Sequence, residues 1–156
     1  MNPFFAPLAP TNMDIQVSFP GGKRVDASFG NHVVRTDQPT ELGGLGSEPA
    51  PFDLFLASVA TCAGIYVLGF CQARAIPIDG ITVTQHSVID PDHKAPIRIE
   101  LEIGFPPTFP EKYKASVLRA AEGCKVKKAI AAHPEFVVRE RIAAPLPTAP
   151  SPVRPA

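Results

Sequence analysis

A run of twenty residues with a single charge, from Phe52 to Cys71, constrains the fold of this chain more than any other feature. The charge is Asp53, and the run is close to the length that a helix needs to cross a membrane. Ser58 and Thr61 within the run, and strand-like segments on both sides, instead favour a central helix of a globular domain. A helix that is apolar all round is typically buried on all sides. We therefore predict a buried helix over 52–74 and no membrane span.

The composition is that of one globular domain. The chain has 156 residues, of which 45% are hydrophobic and 19% charged, and 15 basic residues balance 15 acidic ones. A net charge of zero argues against nucleic acid as a partner and does not oppose self-association. An odd number of cysteines, three, and the absence of a signal-peptide pattern favour a reducing compartment. We predict a cytoplasmic protein.

Hydrophobic periodicity predicts an α+β fold. The apolar pattern, which alternates over 15–19, 24–29 and 97–105, predicts three short strands, two long ones and a last strand, over 15–19, 24–29, 32–36, 81–89, 97–105 and 136–142. Helical spacing predicts two further helices over 110–122 and 125–133. The first three strands have connections too short for a crossover, so they form an antiparallel meander. Proline-rich ends complete the organisation: an arm over 1–12, a domain over 13–142 and a tail over 143–156.

Two cysteines on predicted helices point to thiol redox chemistry. Cys62 lies in the middle of the apolar run, and Cys124 lies in the sequence Ala-Glu-Gly-Cys124-Lys-Val-Lys-Lys. Cys71 is nine residues after Cys62, which is half a turn out of phase, so the two face opposite ways and Cys71 is predicted to be structural. Either reactive candidate could also be inert core filler.

The surroundings of the two thiols predict different pKa values. If Gly123 ends one helix, Cys124 lies near the start of the next and close to three lysines, which would lower its pKa. Cys62 lies about ten residues into its helix, where the effect of the helix dipole has faded. From the residues alone, Cys124 is therefore the better thiolate, and Cys62 needs a cation from elsewhere in the fold.

The segments 37–44 and 46–62, and the sequence Gly123-Cys124-Lys-Val-Lys-Lys-Ala, resemble the OsmC/Ohr family. The resemblance implies an intertwined homodimer in which antiparallel sheets pack around long central helices. It implies a thiol-dependent reductase of organic hydroperoxides with active sites at the subunit interface. Cys62 would attack the O–O bond, and Cys124 would resolve the product to a disulfide. The partners would be a small hydrophobic peroxide and a thiol reductant. No metal or cofactor is expected.

The resemblance also implies an arginine and a glutamate beside the reactive cysteine. Arg24, on an early strand after a glycine turn, matches the arginine. The position of the glutamate, ten residues before Cys62, holds Phe52, so the usual network is incomplete. An alternative is therefore open, in which a non-catalytic dimer of the same fold binds a small hydrophobic ligand in a pocket lined by Phe52 and Phe55.

Overall fold

The computed structural model describes residues 13–90, 92 and 96–140. Over these residues the chain is α+β, as predicted, with three strands, a long helix, two strands and two helices in that order. The predicted N-terminal arm and C-terminal tail lie outside the described residues.

The first three strands form an antiparallel sheet in the order β1-β2-β3, which confirms the predicted meander. They are β1 (Gln16–Gly21), β2 (Arg24–Phe29) and β3 (His32–Val34). Gly22, in the turn between β1 and β2, has a φ of 61°, which glycine adopts without strain. All six residues of β1 are exposed, so one edge strand of this sheet is open in the single chain.

The two long strands pair with each other in a second antiparallel sheet. They are β4 (Thr82–Ile89) and β5 (Pro96–Gly104), and their register places Val83 opposite Ile103. Side chains from one face of this sheet, including Val83, Leu101 and Ile103, pack against the hydrophobic core. This sheet therefore forms one wall of the core.

A buried carboxylate organises the glycine- and proline-rich loop that leads to the long helix. Asp37 accepts hydrogen bonds from the backbone N–H groups of Gln38, Leu45 and Ser47 and from the Ser47 hydroxyl, at 2.8 to 3.1 Å. Burial acts to raise the pKa of Asp37, but these hydrogen bonds outweigh it and the pKa is lowered. A Cβ at Gly44 would lie 1.9 Å from the Gln38 carbonyl oxygen, so only glycine fits there. The loop is thus fixed against its own start.

The apolar run forms helix α1 (Pro51–Gln72). Its first turn is capped by Asp53, whose carboxylate accepts a hydrogen bond from the Ala50 N–H at 3.1 Å. The side chains buried along α1 share one stripe at helical spacing: Val59, Ala63, Val67 and Cys71. Phe52 and Ile65 are 42% and 54% exposed, so within a single chain α1 is buried along one side only. The sequence had predicted burial on all sides.

Two shorter helices complete the described chain. They are α2 (Glu111–Glu122) and α3 (Lys125–Ala131), joined by Gly123 and Cys124. Helix α2 packs on α1 through Val117 and Ala121, which are buried in the same core cluster as the stripe of α1. The junction between α2 and α3 is therefore held close to the middle of α1.

The strand predicted over 136–142 does not form over 136–140, and 141–142 lie outside the described residues. Phe136 and Val138 are 89% and 98% exposed. A strand needs a neighbouring strand for its backbone hydrogen bonds, and this segment has no such neighbour within the described chain. The apolar residues 136–138 are typical of a strand, but among the described residues they have no sheet to join.

Candidate active site

The structure brings Cys62 and Cys124 together, although 62 residues separate them. Cys62 projects from the middle of α1 and is half-buried, and Cys124 is the N-cap of α3 and is fully buried. The Cys124 thiol donates a hydrogen bond to the Cys62 sulfur. Cys124 Sγ also lies 3.9 Å from the carbonyl oxygen of Val59, one turn before Cys62 on α1. All three cysteines of the chain are free thiols.

The pKa of the Cys62 thiol is lowered. Burial acts to raise it, but the Cys124 thiol and the backbone N–H groups of Val126 and Lys125 donate hydrogen bonds to its sulfur, and the positive charge of Lys125 adds to them. These N–H groups are at the start of α3, where backbone donors have no partner within the helix. The positive potential that Cys62 needs thus comes from another helix.

The expectation that Cys124 is the better thiolate is wrong. Burial and the hydrogen bond to Cys62 raise the pKa of Cys124, and the N–H groups of Lys127 and Val126 offset this only in part. The reason is that Cys124, as the buried donor, keeps its proton while the same hydrogen bond stabilises a thiolate at Cys62. The opposite directions of the two pKa shifts favour a thiolate at the half-buried Cys62 over one at Cys124.

Tyr66 is a third member of this site that the sequence prediction missed. Burial, together with negative charge on Cys62 and Cys124, raises the pKa of its phenol. Tyr66 is one turn after Cys62 on α1, so a search for side chains four residues from the predicted thiol could have found it. The contribution of the Val126 N–H could not be found in this way, because it depends on how α3 meets α1.

Arg24 occupies a different environment from the predicted one in the single chain. Its guanidinium lies 3.5 Å from the Asp26 carboxylate on the same strand. The cation whose charge acts on Cys62 is Lys125. Among the described residues, Arg24 Nε and Asp26 Oδ1 are buried without a hydrogen-bond partner. The pairing of Arg24 with Cys62 stays a prediction.

An apolar cavity of about 570 Å³ shares Val126 with the surroundings of Cys62, although neither Cys62 nor Cys124 lines it. It lies between α1 and the segment from α3 to residue 136, and its lining is Phe55, Val126, Ala129, Ile130, His133, Pro134 and Phe136. Phe55 is seven residues before Cys62, which places both on the same face of α1. Phe52 stacks on Phe55, with ring centroids 5.7 Å apart, but does not line the cavity. Val126 joins the two features, since its side chain lines the cavity and its N–H contacts Cys62.

The fold and the site together define a protein of α+β architecture with a pair of cysteines, Cys62 and Cys124, near an apolar cavity. The sequence model of the family described as OsmC-like protein matches residues 44–139. The chain therefore belongs to the OsmC-like protein family, as the resemblance in the sequence indicated. No curated protein sequence matches the chain.

Solved structures from three bacteria share the fold. A Psychrobacter arcticus protein described as an osmotic stress-induced and detoxification response protein is 23% identical, with a TM-score of 0.64 over 81% of this chain and 90% of that one. The organic hydroperoxide resistance protein OsmC of Legionella pneumophila is 21% identical, with a TM-score of 0.51 over 79% and 91%. An OsmC-like protein of Mycoplasma pneumoniae is 15% identical, with a TM-score of 0.59 over 80% and 91%. At these identities the likeness establishes the fold and not the activity.

Proposed function

We propose that the protein is a thiol-dependent reductase of small hydrophobic hydroperoxides, with Cys62 as the attacking thiol and Cys124 as the resolving one. The observation that carries the proposal is the contact between a thiol of lowered pKa and a buried thiol that keeps its proton. Membership of the OsmC-like family supports it, and so does the Legionella relative named for resistance to organic hydroperoxides.

The proposed reaction has three steps. The Cys62 thiolate attacks the terminal peroxide oxygen, the O–O bond breaks, and the alcohol leaves after gaining a proton, which makes Cys62 a sulfenic acid. The Cys124 thiol then attacks the Cys62 sulfur, forming a disulfide and releasing water. Two equivalents of an external thiol, or one dithiol, reduce the disulfide and become oxidised themselves.

Three free thiols in one chain support the cytoplasm as the compartment.

The apolar cavity supplies the substrate site in this proposal. An alkyl or aryl hydroperoxide would place its carbon chain against Phe55, Ile130 and Phe136, with its peroxide group toward Cys62. Hydrogen peroxide has no apolar part to bury, so it gains nothing from this cavity. The site therefore favours organic hydroperoxides over hydrogen peroxide.

Phe52 at the usual glutamate position does not remove the means of ionising Cys62. The N–H groups of Lys125 and Val126 and the charge of Lys125 already lower the pKa of this thiol within one chain. We propose that these donors stabilise the Cys62 thiolate. The family resemblance assigns that role to an arginine held by a glutamate. Arg24 remains a candidate catalytic residue that would act in addition to them.

A peroxide-consumption assay with a dithiol reductant tests the proposed function. Wild-type protein should consume cumene hydroperoxide, and Cys62→Ser should lower the rate by roughly 100-fold or more, because serine is a far weaker nucleophile at neutral pH. Cys71→Ala is the matched control, since it removes a buried thiol on the same helix and should keep the rate within about twofold. Equal slow consumption by wild type and Cys62→Ser would refute the proposed activity.

A homodimer is part of the proposal. Ile15, Val17 and Phe19 alternate along the first strand region and are 53% to 80% exposed, and Phe136 and Val138 are more exposed still. Apolar surface of this extent is typical of a protein interface. A second copy could cover both segments and supply a neighbouring strand to residues 136–140. Sedimentation at twice 16.6 kDa would support the dimer, and sedimentation at 16.6 kDa would refute it.

The alternative function is binding of a small hydrophobic ligand without turnover. The apolar lining of the cavity and Phe52 in place of an acid favour it. It predicts that peroxide treatment leaves Cys62 as a thiol, while an apolar fluorescent probe binds the cavity and Phe55→Asp abolishes that binding. A sulfenic acid or a Cys62–Cys124 disulfide after peroxide treatment would exclude it.

A further inference from the structure

Gly123, which directly precedes Cys124, is a glycine for a reason other than backbone conformation. Its φ of −68° and ψ of −3° are ordinary right-handed helical values that every L-residue adopts. It ends α2 without the left-handed geometry for which glycine is usually needed at this place. The reason for a glycine must therefore be the space around it.

The space that a side chain would need at Gly123 is filled by the ring of Tyr66. A Cβ at this position would lie 3.1 Å from Tyr66 Cε1 and 3.2 Å from Cδ1, closer than such contacts normally are, and 3.0 Å from the Ala120 carbonyl oxygen. The aromatic ring thus packs closely against Gly123, just before Cys124. Such close packing transmits any change of volume to its neighbours.

Two contacts consequently join the same two segments. Cys62 and Tyr66 are one turn apart on α1, and Gly123 and Cys124 are adjacent at the start of α3. Cys62 contacts Cys124, and Tyr66 contacts Gly123. The ring contact therefore limits how far the Cys124 sulfur can move relative to Cys62. The raised pKa of the phenol is consistent with its place beside both sulfurs.

We propose that Tyr66, through its ring contact with Gly123, is a positioning residue that holds Cys124 in place to attack oxidised Cys62. The proposal rests on the proposed function and concerns its second step, in which the Cys124 sulfur displaces hydroxide from the Cys62 sulfenic acid and water is released. A disulfide forms only within narrow limits of geometry between its two residues. The first step needs only Cys62 and peroxide, so it does not depend on this contact.

Three substitutions and one control test the proposal. Tyr66→Leu removes the ring, Gly123→Ala pushes against it, and Tyr66→Phe keeps the ring without the hydroxyl. Gly64→Ala is the matched control, because among the described residues a Cβ there meets nothing within 4 Å beyond its own helix. Each protein is treated with one equivalent of cumene hydroperoxide. Sulfenic acid at Cys62 is trapped with dimedone, and the Cys62–Cys124 disulfide is quantified over time by mass spectrometry.

Tyr66→Leu and Gly123→Ala should slow disulfide formation about tenfold or more, because small misplacements of reacting groups have large effects on rate. Formation of the sulfenic acid should stay within about twofold of wild type, so more of it is trapped by dimedone. Gly64→Ala should match wild type in both steps, and Tyr66→Phe, which keeps the ring, should form the disulfide faster than Tyr66→Leu. Equal rates of disulfide formation in Tyr66→Leu and wild type would overturn the proposal. A loss in Tyr66→Phe as large as in Tyr66→Leu would assign the effect to the hydroxyl and overturn it too.

A second measurement separates this proposal from the proposed function. If wild-type Cys62 is not oxidised by peroxide, the reductase activity fails, but the positioning of the thiols can still be tested. Equilibration with reduced and oxidised dithiothreitol measures how readily the Cys62–Cys124 disulfide forms without any peroxide. Its equilibrium constant should fall about tenfold in Tyr66→Leu and not in Tyr66→Phe, if the ring holds the two sulfurs together. Equal constants in all three proteins would overturn the role of the ring.

Discussion

Cys62 and Cys71 lie nine residues apart on the same helix, yet their surroundings are opposite. Cys62 is half-buried and receives hydrogen bonds from Cys124 and from the start of α3, and its pKa is lowered. Cys71 is fully buried among the apolar side chains of the core, and burial raises its pKa although the charge of Arg74 acts against this. The same residue type on one helix thus gives a reactive candidate and a structural thiol.

The difference shows that position around the helix decides the chemistry of a thiol here. Nine residues correspond to two and a half turns, so the two sulfurs leave α1 on opposite sides. One side meets the backbone N–H groups that begin α3, and the other meets the hydrophobic core. A thiolate is stabilised only on the first side.

The largest expected effect is in the rates of alkylation. At pH 7 and limiting iodoacetamide, Cys62 should react roughly 100-fold faster than Cys71, because it is both accessible and ionised below the usual cysteine pKa. The pH profile of the Cys62 rate should have its midpoint below that of Cys71, because the pKa of Cys62 is lowered and that of Cys71 is raised. Peptide mapping by mass spectrometry measures both rates. Similar rates for the two cysteines would contradict the comparison.

The stability of serine variants should show the reverse order. Cys71→Ser places a hydroxyl in an apolar cluster and should lower the free energy of unfolding by about 1–3 kcal/mol. Cys62→Ser changes a half-buried site and should lower it by about 0.5 kcal/mol or less. Urea unfolding followed by circular dichroism measures both changes. A larger loss for Cys62→Ser would mean that the exposures of the two sites have been misassigned.

A smaller effect is expected at Lys125. Lys125→Ala removes the charge that acts on Cys62 and leaves the backbone N–H groups in place, so the pKa of Cys62 should rise. The alkylation rate at pH 7 should fall by about two- to threefold. Lys128→Ala on the same helix is the control and should change the rate less. Equal effects of both substitutions would indicate that the positive charge of α3 as a whole, and not Lys125 in particular, acts on Cys62.

Much of the fold could be predicted from periodicity because most elements need only local information. The alternation before residue 30 and the apolar run after Pro51 place β1, β2 and α1 within a few residues of their observed bounds. The segment 136–140 shows the limit of this reasoning. Its β-branched and aromatic residues are typical of a strand, but a strand also needs a neighbour, and that neighbour is not encoded in the segment itself.

The sequence predicted the two cysteines of the site, but it predicted neither Tyr66 nor the electrostatics of the two thiols. The context of Cys62 and Cys124 was enough to identify the pair. The direction of their pKa shifts depends on which thiol donates to the other and which receives the N–H groups of α3, and both are set by tertiary packing. Tyr66 lies one turn from Cys62 and could have been found by helical spacing, but its contact with Gly123 could not, because that contact depends on tertiary packing.

The central claim is that Cys62 and Cys124 act as one redox pair. The most direct test is to treat the reduced protein with one equivalent of cumene hydroperoxide and to map its disulfides by mass spectrometry without reduction. The structure predicts a single linked peptide pair joining Cys62 to Cys124, with Cys71 still a free thiol. Recovery of Cys62 and Cys124 as unmodified thiols, or a disulfide that contains Cys71, would contradict it.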